Sequence, residues 1–500
     1  MVLAAFELLG SLAVFLYGMK IMSESIQRVA GDKLRNILSY MTTNRFAGIF
    51  TGFAITSIIQ SSSATTVMLV SFVNAGLLNL TQSIGVIMGA NLGTTITGWI
   101  VSIFGFKFKI SAIALPVAGI GLPLIFSKSD RRKDQGEILI GFGLLFLGLN
   151  FLKHAVPDIK SNPEVLSFLA DYTNLGFFSY IIFLIAGVLL TITVQSSSAA
   201  MAVTITMAYK GWIDFPTAAA VVLGENIGTT ITAYLASLGT SLSARRAARA
   251  HLVFNLLGVI WMTFLFVPFC GMIEHIVPGS AENTANIPIH LSMFHTMFNL
   301  ANTFLLVGFV KQIAAIVVKI VPSSEGDDEE QEYKLDYLSS SLSHTPEIAL
   351  MEIRGEIQKM SHKTEKMFGK FLDVFLNPSK KMGDTVSSLK KTEILTDRMQ
   401  EEISGYILKC TKEHLSDESA ENVNFMLRIV NELESIGDSC YNLVLICQRR
   451  YEKKMTVNED SVREIVKFAQ LIKDFLKLNS SHIAGRLSAM EMEEAYRLES

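Results

Sequence analysis

Cysteine is scarce in this chain, with four in 500 residues. None of the four has a partner at the spacing of a metal site or a disulfide framework. Cys270 sits in an apolar run, and Cys410, Cys440 and Cys447 in charged helical sequence. All four read as small buried core residues. Arginine and lysine are missing from the cores of the runs around the most polar blocks of the apolar half, with Lys210 near the end of one of them. Cations must therefore accompany any anion held there, because an uncompensated anion in low dielectric is prohibitively costly. Almost no basic residue precedes the first apolar run, and no small-residue cleavage site follows it. That run is expected to be a retained membrane helix and not a removed signal peptide. The apolar half also lacks an activated nucleophile and a catalytic metal set, which argues against an enzyme. The net charge of -3 averages two unlike halves and excludes nothing by itself.

Half of the residues are hydrophobic, and the excess lies between about residues 3 and 320. Apolar runs fall at about 3–22, 46–60, 64–79, 82–104, 110–127, 137–156, 177–194, 199–212, 216–240, 250–273 and 287–320. Within them lies a duplication at a constant offset of 135 positions. Gln60-Ser61-Ser62-Ser63-Ala64 returns as Gln195-Ser196-Ser197-Ser198-Ala199. Gly89-Ala90-Asn91-Leu92-Gly93-Thr94-Thr95-Ile96-Thr97 returns as Gly224-Glu225-Asn226-Ile227-Gly228-Thr229-Thr230-Ile231-Thr232. The arms 46–60 with 64–79, and 177–194 with 199–212, are short for a crossing and meet at the Gln-Ser-Ser-Ser tips. They are expected to form re-entrant hairpins, with two ordinary spans joined by a tight loop as the competing reading. The other runs are counted as one crossing each, three per repeat, with 287–320 as an extra helix. An odd number makes the two repeats inverted. The same count gathers Arg28, Lys33, Arg35, Arg45, Lys128, Arg131, Arg132, Lys133, Arg245, Arg246, Arg249, Lys311 and Lys319 on one side, expected to be cytoplasmic.

From about residue 322 the chain is charged. An acidic linker, 322–344, leads to apolar positions 353, 357, 360, 367, 371 and 374, and to Val423, Met426, Val430, Leu433, Gly437, Cys440, Val444 and Cys447. This spacing predicts a bundle of packed antiparallel helices over 345–500, with turns near Pro378 and His414–Ser419. The fold expected is all-α: two inverted membrane repeats, 1–127 and 128–321 (the latter with the extra helix), and a cytoplasmic bundle. The end at Ala495–Ser500 lies in helix-forming sequence, as for a trimmed bundle.

Each Gln-Ser-Ser-Ser tip combines hydroxyls, a carboxamide and the free amides of a helix start. All of these can donate to an oxyanion, and the helix dipole adds favourable charge. The Gly-x-Asn-x-Gly-Thr-Thr blocks are expected to loosen their helices and expose carbonyls. Asn91, Thr94, Thr95, Asn226, Thr229 and Thr230 would add side-chain oxygens, a set suited to a hard cation such as sodium. Helix packing by small residues is the competing reading. Glu225 stands opposite Ala90 of the first copy and is expected to bind a cation or carry a proton, with a protonated, hydrogen-bonded structural residue as the competing reading. His251 with Asn255, and His295 with Asn299, repeat a His-x-x-Phe-Asn pattern. They read equally well as packing residues and are kept out of the core site. In the tail, Glu393 with Asp397 and Glu434 with Asp438 each share a helix face. They could hold a divalent or transition metal, or form a solvated acidic face.

On these doubled motifs, residues 3–320 resemble the bacterial form of the sodium-dependent phosphate cotransporters of the type II family. The resemblance implies inorganic phosphate as substrate and sodium as the coupling ion. It implies a phosphate site at Gln60, Ser61, Ser62, Ser63, Gln195, Ser196, Ser197 and Ser198. Gln60, Ser63, Gln195, Ser198 and Glu225 would join the block residues around sodium. Glu225 departs from the small residue of vertebrate members, which leaves the number of ions open. The tail resembles a PhoU-type domain through Asn431-Glu432-Leu433-Glu434-Ser435-Ile436-Gly437-Asp438, with Ser435 where that family often has Arg. The expectation is a sodium-coupled phosphate carrier of a bacterial cytoplasmic membrane, working by alternating access with a regulatory tail. Its partners are phosphate, sodium and the bilayer, with no nucleic acid, and a homodimer is compatible with it. The alternatives are a carrier of another oxyanion, a phosphate exporter, or a membrane phosphate sensor with little transport.

Overall fold

The computed structural model describes residues 2–39, 44–74, 78–107, 111–156, 172–173, 175–238, 240–322, 346–377, 382–411 and 417–482, with 493 and 497. The expected acidic linker lies almost wholly outside these residues, as do the turn at Pro378 and most of the one at His414–Ser419. The described secondary structure is helical. The chain divides into two compact units, residues 1–74 with 78–325, and residues 326–500.

The first unit contains α1 (Val2–Ser39), α2 (Arg45–Ile59), α3 (Ser62–Asn74), α4 (Leu80–Ile100), α5 (Ser111–Ile125), α6 (Asp130–Ala155), α7 (Phe177–Val194), α8 (Ser197–Tyr209), α9 (Phe215–Gly228), α10 (Thr230–Ala236), α11 (Leu242–Ile276), α12 (Ile287–Leu306) and α13 (Val310–Ile320). Local chemistry sets many of the starts. Asn44 accepts from the Phe46 and Ala47 amides at the head of α2. Asn79 and Gln82 form a capping box on α4. Asp214 caps α9 through the Thr217 amide, with Pro216 in the first turn. The expected short arms 46–60, 64–79 and 199–212 appear as α2, α3 and α8.

Among the described residues, six helical stretches are long and apolar enough to cross a membrane: Phe6–Val29, Leu80–Lys107, Asp130–Ala155, Phe177–Val194, Leu242–Ile276 and Ile287–Ile320. By length and composition this set differs from the runs expected to cross. The expected span 216–240 is two helices, because the ladder breaks between Gly228 and Thr230. The expected span 110–127 is the 15-residue α5, which carries Pro116 and Pro123 and packs against α6. The 18-residue α7, expected as a hairpin arm, is long enough to cross. Its Ile182, Ile185, Leu189 and Ile192 form an exposed apolar stripe at helical spacing. Such a surface belongs against lipid or another apolar partner.

The duplication is real in three dimensions. A Cβ at Gly52 would lie 2.1 Å from Val86 O, and one at the equivalent Gly187 2.0 Å from Val221 O. At Gly89 and Gly224 it would lie 1.9 Å from Ile49 O and from Leu184 O. At Gly93 and Gly228 it would lie 2.8 Å from Phe53 O and from Val188 O. The same glycines hold the same helix pairs together, α2 on α4 and α7 on α9. In the first block this differs from the expectation that the glycines loosen the helix: α4 runs unbroken through Gly89 and Gly93, and the missing side chains are used for close approach. The repeats then diverge, since α9 ends at Gly228 while α4 continues into a π-helical segment, Val101–Lys107.

The second unit has α14 (Pro346–Leu376), α15 (Gly383–Cys410), α16 (Asp417–Glu452) and α17 (Glu459–His482). The expected seams are its core. Ile353, Ile357, Met360, Val423, Met426, Val430 and Leu433 meet Met399, Ile403 and Ile407 in one cluster. Met367, Phe371, Val374, Cys440, Val444 and Cys447 form another with Leu389, Ala469 and Leu476. All four cysteines are buried, with no disulfide among the described residues. Burial pushes the Cys440 thiol up to about 12, so it behaves as a small hydrophobe.

Candidate functional site

Each serine tip is the break between two helices. Gln60 and Gln195, at φ 59 and 54, are in the left-handed region and end α2 and α7. The next helix restarts within two residues. Ser61 Oγ accepts from the Ala64 amide at 3.2 Å, and Ser196 Oγ from the Ala199 amide at 3.3 Å. A hydroxyl that caps with its lone pair keeps its hydrogen to donate. Ser62 Oγ is buried with no hydrogen-bond partner.

The Gly-x-Asn-x-Gly-Thr-Thr blocks use their hydrogens the opposite way. Thr94 donates to Ala90 O and Thr229 to Glu225 O, at 3.0 and 2.9 Å. Thr95 donates to Leu92 O and Thr230 to Ile227 O, at 2.8 and 2.7 Å. The carboxamides of Asn91 and Asn226 donate to Ile87 O and Val222 O, at 2.9 and 3.0 Å. The threonine hydroxyl hydrogens and one of the two amide hydrogens of each Asn are committed to their own helix, so what these side chains chiefly offer is oxygen lone pairs. That makes the blocks suitable for a cation and unsuitable for an anion.

Two links join predicted site residues to residues the sequence reading passed over. Thr97 donates to Gln60 Oε1 at 3.1 Å, tying the first tip to α4. Thr204 on α8 donates to the Glu225 carboxylate at 2.6 Å. Its repeat-one equivalents Leu69 and Ala90 are a buried apolar pair. Among the described residues, no hydrogen bond joins a predicted site residue of one repeat directly to one of the other.

The helix expected as an extra is not peripheral. On one side of α12, Thr296 accepts from Trp99 Nε1 at 2.9 Å, and Ser292 lies 2.7 Å from Ser102, both at the end of repeat one's block helix. On the other, His295 Nε2 lies 3.4 Å from Asn226 Oδ1. From α11, Asn255 donates to the Asn226 carbonyl at 2.7 Å. His295 and Asn255, set aside in the sequence, therefore converge on a block residue. The doubled His-x-x-Phe-Asn pattern was the signal that could have placed them there.

In the second unit, Glu393, Asp397 and Asp438 bring carboxylate oxygens within 4.8 Å of one another across α15 and α16. Glu434, the fourth expected residue, is outside this group. Partial burial, then the like charges of Asp397 and Asp438, hold the Glu393 carboxyl above its ordinary range. Partial burial, then Asp438, does the same for Asp397. A carboxyl raised by folding binds protons more tightly in the folded state. Its contribution to stability therefore grows as pH falls through the raised value and is lost as pH rises above it. In thermal melts of the full chain, Asp397→Asn is expected to stabilise the second unit at neutral pH and to flatten its gain on acidification. Equal slopes for variant and wild type would show that the cluster carries no repulsion.

Both blocks lie within the residues that match a known family. The model of the Na+/Pi-cotransporter family matches residues 14–154 and 166–276, half of the chain. The chain belongs to the Na+/Pi-cotransporter family. This transporter also carries a PhoU domain, matched over residues 357–447. It is 25% identical over 437 residues to a Salmonella typhimurium protein named for inorganic phosphate export, YjbB, covering 87% of this chain and 76% of that protein. It is 28% identical over 314 residues to the uncharacterized protein YqeW of Bacillus subtilis, covering 62% of this chain and 95% of that one. Over 100 residues it is 36% identical to sodium-dependent phosphate transport protein 2A of Rattus norvegicus, covering 19% of this chain and 15% of that protein. No solved structure matches the chain significantly.

Proposed function

We propose that this transporter moves inorganic phosphate together with sodium across the bacterial cytoplasmic membrane by alternating access. The observation that carries this reading is the split in hydrogen use. The tips keep hydroxyl hydrogens for an oxyanion, while the block threonines have spent theirs on their own helices and present oxygen lone pairs for cations. Phosphate is held by Gln60, Ser61, Ser62 and Ser63 with Gln195, Ser196, Ser197 and Ser198. Sodium is held by Asn91, Thr94 and Thr95 and by Asn226, Thr229 and Thr230, with Gln60, Ser63, Gln195 and Ser198 adding oxygens from the tips. Glu225 gives the second block a carboxyl oxygen that Ala90 denies the first. The two repeats lie inverted in the membrane, the hairpins re-enter from opposite sides, and residues 322–500 are cytoplasmic and regulatory. The three clustered carboxylates of the PhoU domain, with Glu434 nearby in sequence, hold a divalent metal.

The deciding experiment is labelled-phosphate flux in proteoliposomes with and without a sodium gradient. Flux indifferent to sodium removes the coupling, and absence of flux favours a sensor. The names of the YjbB relatives favour a second reading, net outward movement, which the same vesicles read by reversing both gradients. Stopping the chain at residue 322 is expected to preserve sodium-dependent flux. If a well-folded truncated protein neither binds nor carries phosphate, the PhoU domain is part of the transport machinery.

A difference between the repeats supports alternating exposure. Gln60 is 7% exposed and latched by Thr97. Gln195 is exposed, and Thr232, the equivalent of Thr97, donates to Thr229 O instead. In the opposite state the latch is expected to pass to Thr232 and Gln195. One neutral hydrogen bond contributes about 0.5–1.5 kcal/mol, so Thr97→Ala should raise thiol labelling at Ser61→Cys roughly two- to twelvefold. Unchanged labelling would mean that the bond does not hold the first tip closed.

A further inference from the structure

We propose that His295 and Asn255 are positioning residues for the cation block of the second repeat, acting through Asn226. This rests on the reading of that block as a sodium site. Asn226 is 6% exposed and commits its own amide hydrogen to Val222 O. Its position is also set from outside its own helix. Asn255 Nδ2 of α11 grips the backbone carbonyl at 2.7 Å, and His295 Nε2 of α12 faces the carboxamide oxygen at 3.4 Å. A carbonyl oxygen has two lone pairs, so one donor can aim it while the other lone pair meets a cation.

Both residues belong to the site and not to general packing. Asn255 is fully buried and His295 is 5% exposed, yet Asn255 Oδ1 and His295 Nδ1 have no hydrogen-bond partner. Polar side chains of this kind are costly fillers at membrane depth. Repeat one offers an internal comparison. The carboxamide of Asn91 makes the same bond to its own helix, but no outside donor to Asn91 appears among the described residues. Asn299, the equivalent of Asn255 in the repeated pattern, donates instead to His295 O at 2.9 Å, within α12. The second block is thus the one fastened to α11 and α12. Because α12 also holds α4 through Thr296 and Ser292, sodium binding at Asn226 is felt at the end of the first repeat's block helix.

The test measures sodium binding by calorimetry on the detergent-solubilised full chain, and sodium-activated flux in vesicles. His295→Ala and Asn255→Leu are expected to raise the half-saturating sodium concentration roughly tenfold, the effect of losing a hydrogen bond of about 1.4 kcal/mol. Phosphate affinity at saturating sodium should stay unchanged. His295→Gln, whose amide can reach the place of Nε2, should restore most of the sodium affinity. In an Asn226→Ala background His295→Ala should cost nothing further, since the residue acts through Asn226. Equal losses of sodium and phosphate affinity, or additive losses in the double variant, would overturn the proposal and leave a packing role. So would wild-type affinity in His295→Ala, or a wild-type protein that binds no sodium. A protein that binds sodium but carries no phosphate would instead refute the transport reading while leaving this inference testable by binding alone.

Discussion

Ser62→Ala is expected to lower phosphate flux sharply while expression and membrane insertion stay normal, and Ser197→Ala to do the same from the other repeat. Ser62 Oγ is buried with no protein partner, so its hydrogen is available to a bound oxyanion and its removal costs the folded protein little. A buried anion that loses one donor loses about 1–3 kcal/mol, roughly a five- to hundredfold fall in apparent affinity. The double variant should approach background, because both tips serve one ligand. Labelled-phosphate uptake in vesicles, set against the amount of inserted protein, reads the effect. Near-normal uptake with both serines replaced would remove the paired tips as the phosphate site.

Gly89→Ala and Gly224→Ala are expected to destabilise the membrane unit, each by about 1–3 kcal/mol or more, as overpacking does. The new Cβ would meet a backbone carbonyl at 1.9 Å in both cases. A carbonyl in a helix cannot swing aside as a flexible side chain can, so the helix pair has to separate. Gly119→Ala in α5 is the control, because nothing lies within 4 Å of its Cβ position. It should be neutral or slightly stabilising. Thermal unfolding in detergent ranks the three, and an unaffected Gly89→Ala would show that the two helices have room to spare.

Much of the site was legible because the same chemistry occurs twice. A single Gly-x-Asn-x-Gly-Thr-Thr block reads equally well as helix packing. The offset that pairs Gln60 with Gln195 also pairs Asn91 with Asn226, and the hydrogen bonds of the two copies match residue for residue. The packing reading was right for the glycines of the blocks, since Gly89 and Gly224 exist for close approach. The bundle was legible for a simpler reason: Val423, Val430, Leu433 and Val444 repeat at helical spacing, and each is buried. The misread spans came from judging helices by apolar length. Nothing in the run 216–240 marks the break after Gly228, whose counterpart Gly93 lies inside a continuous helix.

Composition and motif were enough to establish a helical membrane chain with two copies of a polar site and a separate helical tail. Apolar runs, doubled blocks and heptad-like seams are properties of each segment alone. Only the tertiary structure decided that α12 lies between the two block helices, that His295 and Asn255 reach Asn226, and that the first tip is latched while the second is open. These depend on which helices meet and in which of two states. Two equivalent pairs, Thr97 with Gln60 and Thr232 with Gln195, have the same side chains. Their residue types therefore cannot say which pair is bonded. That choice is made by the packing of the whole unit.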